Sequence, residues 1–173
     1  MPLNLGAPGD RRDKNRRIWF GYPRPRSTNR LEFLFDIKPQ FHGGGRFVGG
    51  NAESTAVEGT DSPWVLASGA RGLSRCEIPL LDKGQTAAYT VKLLFADVEP
   101  SAGGRSFDIK LEGRSVDQDV DVARRAGGRG KALTLRFDNI SVIGGLTVEL
   151  TPKAKDSSPE QLPNLVGIEV ERQ

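Results

Sequence analysis

An all-β fold, an antiparallel β-sandwich of jelly-roll type, is predicted by three observations. Apolar and polar residues alternate with a period of two along several short segments, glycine and proline turn signals separate those segments, and no long stretch shows helical periodicity. The chain has 173 residues, 36% of them hydrophobic, with 21 glycines and 11 prolines. That composition suits one domain with a real core made of short strands.

Taken in chain order, the first boundary is one of charge. Up to Arg30 there are eight basic residues (Arg11, Arg12, Lys14, Arg16, Arg17, Arg24, Arg26 and Arg30) against Asp10 and Asp13, a net +6, which leaves −3 of the formal +3 for the remainder. Residues 1–30 therefore read as a basic, Pro- and Arg-containing arm or linker, and residues 31–173 as the sandwich. Trp19, Phe20 and Tyr22 interleave with the arginines, as stacking platforms for nucleic acid would. They serve equally well to anchor the arm onto the body, and nucleic acid is not the favoured partner.

From Leu31, the segment LEFLFDI places Leu31, Phe33, Phe35 and Ile37 on one strand face, and Pro39 stops it. The GGGRFVGG run at 43–50 lacks the Lys-Ser or Lys-Thr ending of a phosphate-binding loop, so it reads as a flexible connection, with His42 just before it. Trp64 to Leu66 should open a short strand after Asp61-Ser62-Pro63, and Gly69 to Gly72 turns the chain into a strand from Leu73 to Ile78. On that strand Cys76, the only cysteine, reads as a small core residue. A single thiol and a single histidine give neither a disulfide nor a multi-cysteine metal framework.

After the Asp82-Lys83-Gly84 turn comes the strongest pattern. Tyr89, Val91, Leu93 and Phe95 share one face, and Phe107, Ile109 and Leu111 repeat the pattern with Asp108, Lys110 and Glu112 turned to water. Further strands are expected at Leu133 to Phe137, Ile140 to Ile143, Leu146 to Leu150 and Val166 to Val170, with turns at Asp138-Asn139 and Gly144-Gly145. No apolar run is long enough to span a bilayer and no signal-peptide pattern is present, so the chain as given reads as soluble.

Several of these segments occur in a recognisable order. YTVKLLFAD at Tyr89 to Asp97, RSFDIKLEGRSV at Arg105 to Val116, DVDV at Asp119 to Val122, LTVELTP at Leu146 to Pro152 and LPNLVGIEV at Leu162 to Val170 together resemble the malectin-type carbohydrate-binding domain. The resemblance covers Tyr89 to Val170. It implies a β-sandwich that binds glucan-type oligosaccharide or polysaccharide without catalysis, as an accessory module beside neighbouring domains of a larger exported protein, outside the cell or at its surface. The linker-like PLNLGAPGD opening agrees with a module of that kind.

Where malectin places an aromatic pair after Phe-Ala-Glu-Val, this chain has Glu99 and Pro100. The expected sugar platform therefore moves to Trp64, whose ring would take the apolar face of a sugar while Asp61, Glu99, Arg105, Gln161 and Asn164 supply hydroxyl-bonding groups. The competing reading is a protein-protein interaction or assembly domain that keeps the fold and has lost the sugar site. Asp117, Asp119 and Asp121 alternate on one segment, which is how a strand collects a structural Ca2+ ion, although the same pattern describes solvated charges. No other cofactor is expected. One histidine, no nucleophile motif and no zinc cluster give no basis for catalysis.

Overall fold

The computed structural model describes residues 1–24, 36–50, 58–97, 105–154 and 157–173. Eleven strands form a sandwich whose layers join at their edges. In one layer, β9 (Ala132–Ile143), β6 (Thr86–Ala96), β11 (Asn164–Arg172), β1 (Pro2–Leu5), β3 (Ile18–Tyr22) and β2 (Arg11–Arg12) lie side by side in that order. The other carries β4 (Lys38–Val48), β5 (Gly69–Pro79), β10 (Gly145–Pro152), β7 (Ser106–Leu111) and β8 (Arg114–Asp121). The layers are joined where Ile143 meets Gly145 and where Asn164 and Leu165 pair with Arg71 and Ala70.

Alternation fixes which faces meet. Val91, Leu93 and Phe95 on β6 and Phe107, Ile109 and Leu111 on β7 are all buried in one core with Ile78, Leu146, Val148 and Ile168. The Phe95 and Phe107 rings pack with centroids 5.2 Å apart. Each such side chain contributes about 1.5–3 kcal/mol by leaving water. A smaller cluster of Leu66, Ala96 and Val166 lies apart from this core. Its partner positions follow from a bulge in β11 between Leu165 and Gly167, which adds one residue and sends Val166 away from the core that holds Leu165 and Ile168.

The amino-terminal residues differ from the arm that their charge suggests. Leu3 pairs with Ile168 of β11, β1 also pairs in parallel with β3, and Leu3, Leu5 and Trp19 are buried. The arginines sit on the outside of these strands, where ion pairs hold several of them: Arg17 to Asp13 and Glu169, both at 3.0 Å, and Arg24 to Asp10 at 2.6 Å. Charge density reports the outer face only, and so missed the inner one. Gly6 makes the turn that follows β1 at φ +74°, where an added Cβ would lie 2.4 Å from the Val48 carbonyl oxygen. The expected boundary at Arg30 and the Leu31 to Phe35 strand fall outside the described residues.

Three local expectations also change. Pro63–Ala67 is a 3-10 helix where a strand was expected: Pro63 has no N–H for a ladder, and the Val65 N–H closes on the Ser62 carbonyl at 3.0 Å. The glycines from 43 to 45 lie within β4 and not in a flexible loop, and His42 Nε2 is 2.9 Å from the Leu150 carbonyl. Finally, β9 passes through Asn139 without turning, because a bulge opposite Thr90 absorbs the irregularity.

Candidate functional site

A cleft of about 330 Å³ opens between the amino-terminal strands and the 3-10 helix, lined by Asn4, the segment from Ala7 to Arg11, Gly50, Trp64, Ala67 and Ser68. Trp64 enters because Pro63 starts the helix beside it, while Val65 and Leu66 bury the helix's other side. Its ring stands edge-on to Trp19, with centroids 6.2 Å apart at 86°. Trp19 is itself fixed, 3% exposed, with its indole Nε1 donating to Asp13 Oδ2 at 3.3 Å. The Arg11 guanidinium lies over the Trp64 ring, 5.1 Å from its centroid.

The polar groups of the cleft come from strand alternation. Leu3 and Leu5 point into the core, so Asn4 lies on the opposite face of β1, where it is itself 3% exposed and its Oδ1 accepts the hydroxyl of the buried Ser68 at 3.1 Å at the cleft wall. Asp10 is committed elsewhere: it accepts the Gly21 N–H at 3.0 Å and the Arg24 guanidinium at 2.6 Å. The cleft thus offers an indole, an amide and a hydroxyl within one concave surface.

The residues expected to surround a ligand are only partly brought together. Trp64 lines the cleft, and Asp61 stands exposed nearby in the chain with Lys14 at 3.5 Å. Asn164 begins β11 behind the cleft wall, its side chain packed so closely on Gly69 that a Cβ there would meet its Oδ1 at 2.4 Å. Arg105 is 5% exposed and donates to Asp97 Oδ1 at 2.8 Å and to the Glu160 carbonyl at 2.5 Å. Gln161 closes a capping box, its Oε1 accepting the Ser158 N–H at 3.0 Å. Arg105 and Gln161 therefore hold chain segments together, away from the cleft. Glu99 lies outside the described residues.

The alternate aspartates do not converge. Asp117 is gripped by Arg125 through both oxygens at 2.6 and 2.9 Å, Asp119 faces Arg124 at 3.2 Å, and Asp121 caps the helix α1 (Val122–Ala126) by accepting the Arg124 N–H. Among the described residues no group of three or more His, Cys, Asp or Glu is placed to hold a metal ion. Asn4, Arg11 and Ser68 were missed by sequence reasoning, since nothing local marks residues 64 positions apart as neighbours.

A larger cleft, about 450 Å³, opens at the far end of β5, between Pro79, Leu81, Lys83, Asp36, Lys38 and Ile143. Among the described residues that line it there is no aromatic ring. Among the described residues no helix is long and apolar enough to cross a membrane.

Comparison with known proteins agrees with this architecture. The Malectin domain profile matches residues 76–156. Receptor-like protein 4 of Arabidopsis thaliana is 32% identical over 134 residues, 75% of this chain and 18% of that protein. A probable LRR receptor-like serine/threonine-protein kinase of the same plant is 32% identical over 83 residues, 44% of this chain and 8% of its own length. The chain thus spans less than a fifth of these relatives. Among solved structures, the ANX2 ectodomain from Arabidopsis thaliana superposes with a TM-score of 0.69 at 15% identity, covering 99% of this chain and 49% of that one. A β-glucuronidase of Bacteroides uniformis gives 0.73 at 14% identity, covering all of this chain and 18% of the enzyme's, and shares the fold alone. With its strand order, its profile match and these relatives, the chain is a malectin-like β-sandwich domain, the Malectin domain match lying over residues 76–156.

Proposed function

We propose that this domain is a non-catalytic carbohydrate-binding module, appended to a larger secreted or cell-surface protein, that takes a glucan-type oligosaccharide in the Trp64 cleft. The observation that carries the reading is the meeting of an indole with the Asn4 amide and Ser68 hydroxyl in one concavity. An indole covers the C–H face of a sugar ring, and amide and hydroxyl groups bond its hydroxyls. The relatives support a surface role, being receptor-like proteins and an ectodomain by name. Glycoside hydrolysis needs two carboxylates facing each other across the bond. Beside this cleft, Asp10 is engaged by Arg24 and Asp61 by Lys14.

Calorimetric titration with α- and β-glucan oligosaccharides tests the reading. Binding should be lost in Trp64→Ala. In Arg11→Ala it should strengthen about two- to five-fold, because the ligand no longer has to displace a surface cation–π contact worth about 0.5–1 kcal/mol. Absence of binding to every glucan by the unmodified protein would sink it. The Arg11 and Trp19 contacts already made by Trp64 favour one alternative, an assembly domain in which this surface is a structural joint. Under that reading Arg11→Ala still binds no glucan, and sedimentation shows self-association or capture of a neighbouring domain.

A further inference from the structure

We infer that Asn139 is an acceptor for an N-linked glycan. The inference rests on the exported localisation proposed above. Asn139-Ile140-Ser141 is the one Asn-X-Ser/Thr triplet with X other than proline in the 173 residues. Its placement in the fold meets the needs of the modification at every position. Asn139 and Ser141 are both exposed, while Ile140 between them is half-buried against the core.

The backbone there is irregular in the useful sense. Asn139 has φ +57°, in the left-handed region that asparagine adopts more readily than most residues. It sits in the bulge between the Tyr89–Ile140 and Val91–Phe137 pairs of β6 and β9. Neighbouring Asp138 is engaged by Arg136 at 3.0 Å and by the Thr90 hydroxyl at 2.7 Å, whereas the Asn139 side chain makes no hydrogen bond to another described residue. A glycan on its Nδ2 would therefore displace no structural contact among them. Asn139 also lies seven residues along β9 from Ala132, which packs on the Leu66, Ala96 and Val166 cluster. At about 3.3 Å per residue the two ends of that span are about 23 Å apart.

The chemistry is a group transfer from a lipid-pyrophosphate-linked oligosaccharide. Asn139 Nδ2 forms a bond to C1 of the first sugar as the bond from C1 to the pyrophosphate oxygen breaks. The amide gives up one proton to the transferase, and the lipid pyrophosphate leaves. No electrons change hands.

The test is secretion of the whole chain behind a leader peptide from a eukaryotic host, with peptide mapping before and after peptide N-glycosidase. The expected result is a glycopeptide at Asn139 that becomes aspartate at that position on release. It should be lost in Asn139→Gln and in Ser141→Ala and kept in Ser141→Thr. A control carrying Lys83→Asn with Gln85→Thr places a second triplet on the exposed Asp82–Gly84 turn. Recovery of the Asn139 peptide only in unmodified form, with the control triplet glycosylated, would overturn the inference while leaving the localisation intact. Protection of the natural protein from a membrane-impermeant label on intact cells would overturn the localisation instead, and with it the natural modification.

Discussion

Trp64 and Asp13 show how single side chains hold the candidate site in shape. Asp13 has a 4% exposed carboxylate that receives Arg17 Nε and the Trp19 indole, and Trp19 in turn sets the angle of Trp64. Burial pushes the Asp13 carboxyl up, but hydrogen bonds from the Arg17 backbone, the Arg17 guanidinium and Trp19 outweigh it, and the folded value lies below the ordinary 3.8. A depressed folded pKa gives stabilisation that is full above the unfolded value and is lost as pH falls through the folded one. Acidification below about pH 4 should therefore loosen the β2–β3 hairpin, seen as a change in tryptophan emission, and Asp13→Asn should abolish that step. Cys76 behaves oppositely, as a core atom: burial first, and the Glu77 charge second, push its thiol up to about 12. Native protein should resist thiol alkylation at mildly alkaline pH and react only after denaturation. This much the sequence contained, since the alternation around Cys76 places it inward, whereas nothing near Asp13 announces two partners four and six residues on.

At the scale of elements, the sandwich depends on joints that composition assigns to loops. Arg105 enters β7 and Asp97 leaves β6, and their ion pair, both side chains within 6% of full burial, closes the space between the two strand ends. Arg105→Ala would leave a buried carboxylate without its partner, and a loss of about 3–5 kcal/mol is expected from urea denaturation at neutral pH. In the sequence, the residue type and loop position of Arg105 are those of a ligand residue. Its burial belongs to the packing of β6, β7 and the segment at Glu160, which lie far apart in the chain. The 3-10 helix teaches a related lesson. Val65 and Leu66 are apolar enough for a strand, and the proline before them decides otherwise by removing a ladder donor. That signal was present in the sequence, but period alone outweighed it.

The whole molecule is a domain whose first 22 residues are structural. β1 covers one edge of β11 and brings Leu3 and Leu5 into the main core, and β3 extends the same layer. Deletion of residues 1–24 should therefore destroy the cooperative urea transition and drive aggregation through the opened edge of β11. A detachable arm would instead leave the midpoint unchanged. By itself the sequence determined the fold class, the central strands from Tyr89 to Leu111 and the closing strand, because a period-two pattern is written in neighbouring residues and names the buried face directly. The tertiary structure alone decided that the basic segment is part of the sheet, that Trp64 shares a cleft with Asn4 and Ser68, and that Arg105 is a brace. Those facts depend on which distant surfaces meet, and a surface's charge or residue type is compatible with many partners until packing selects one.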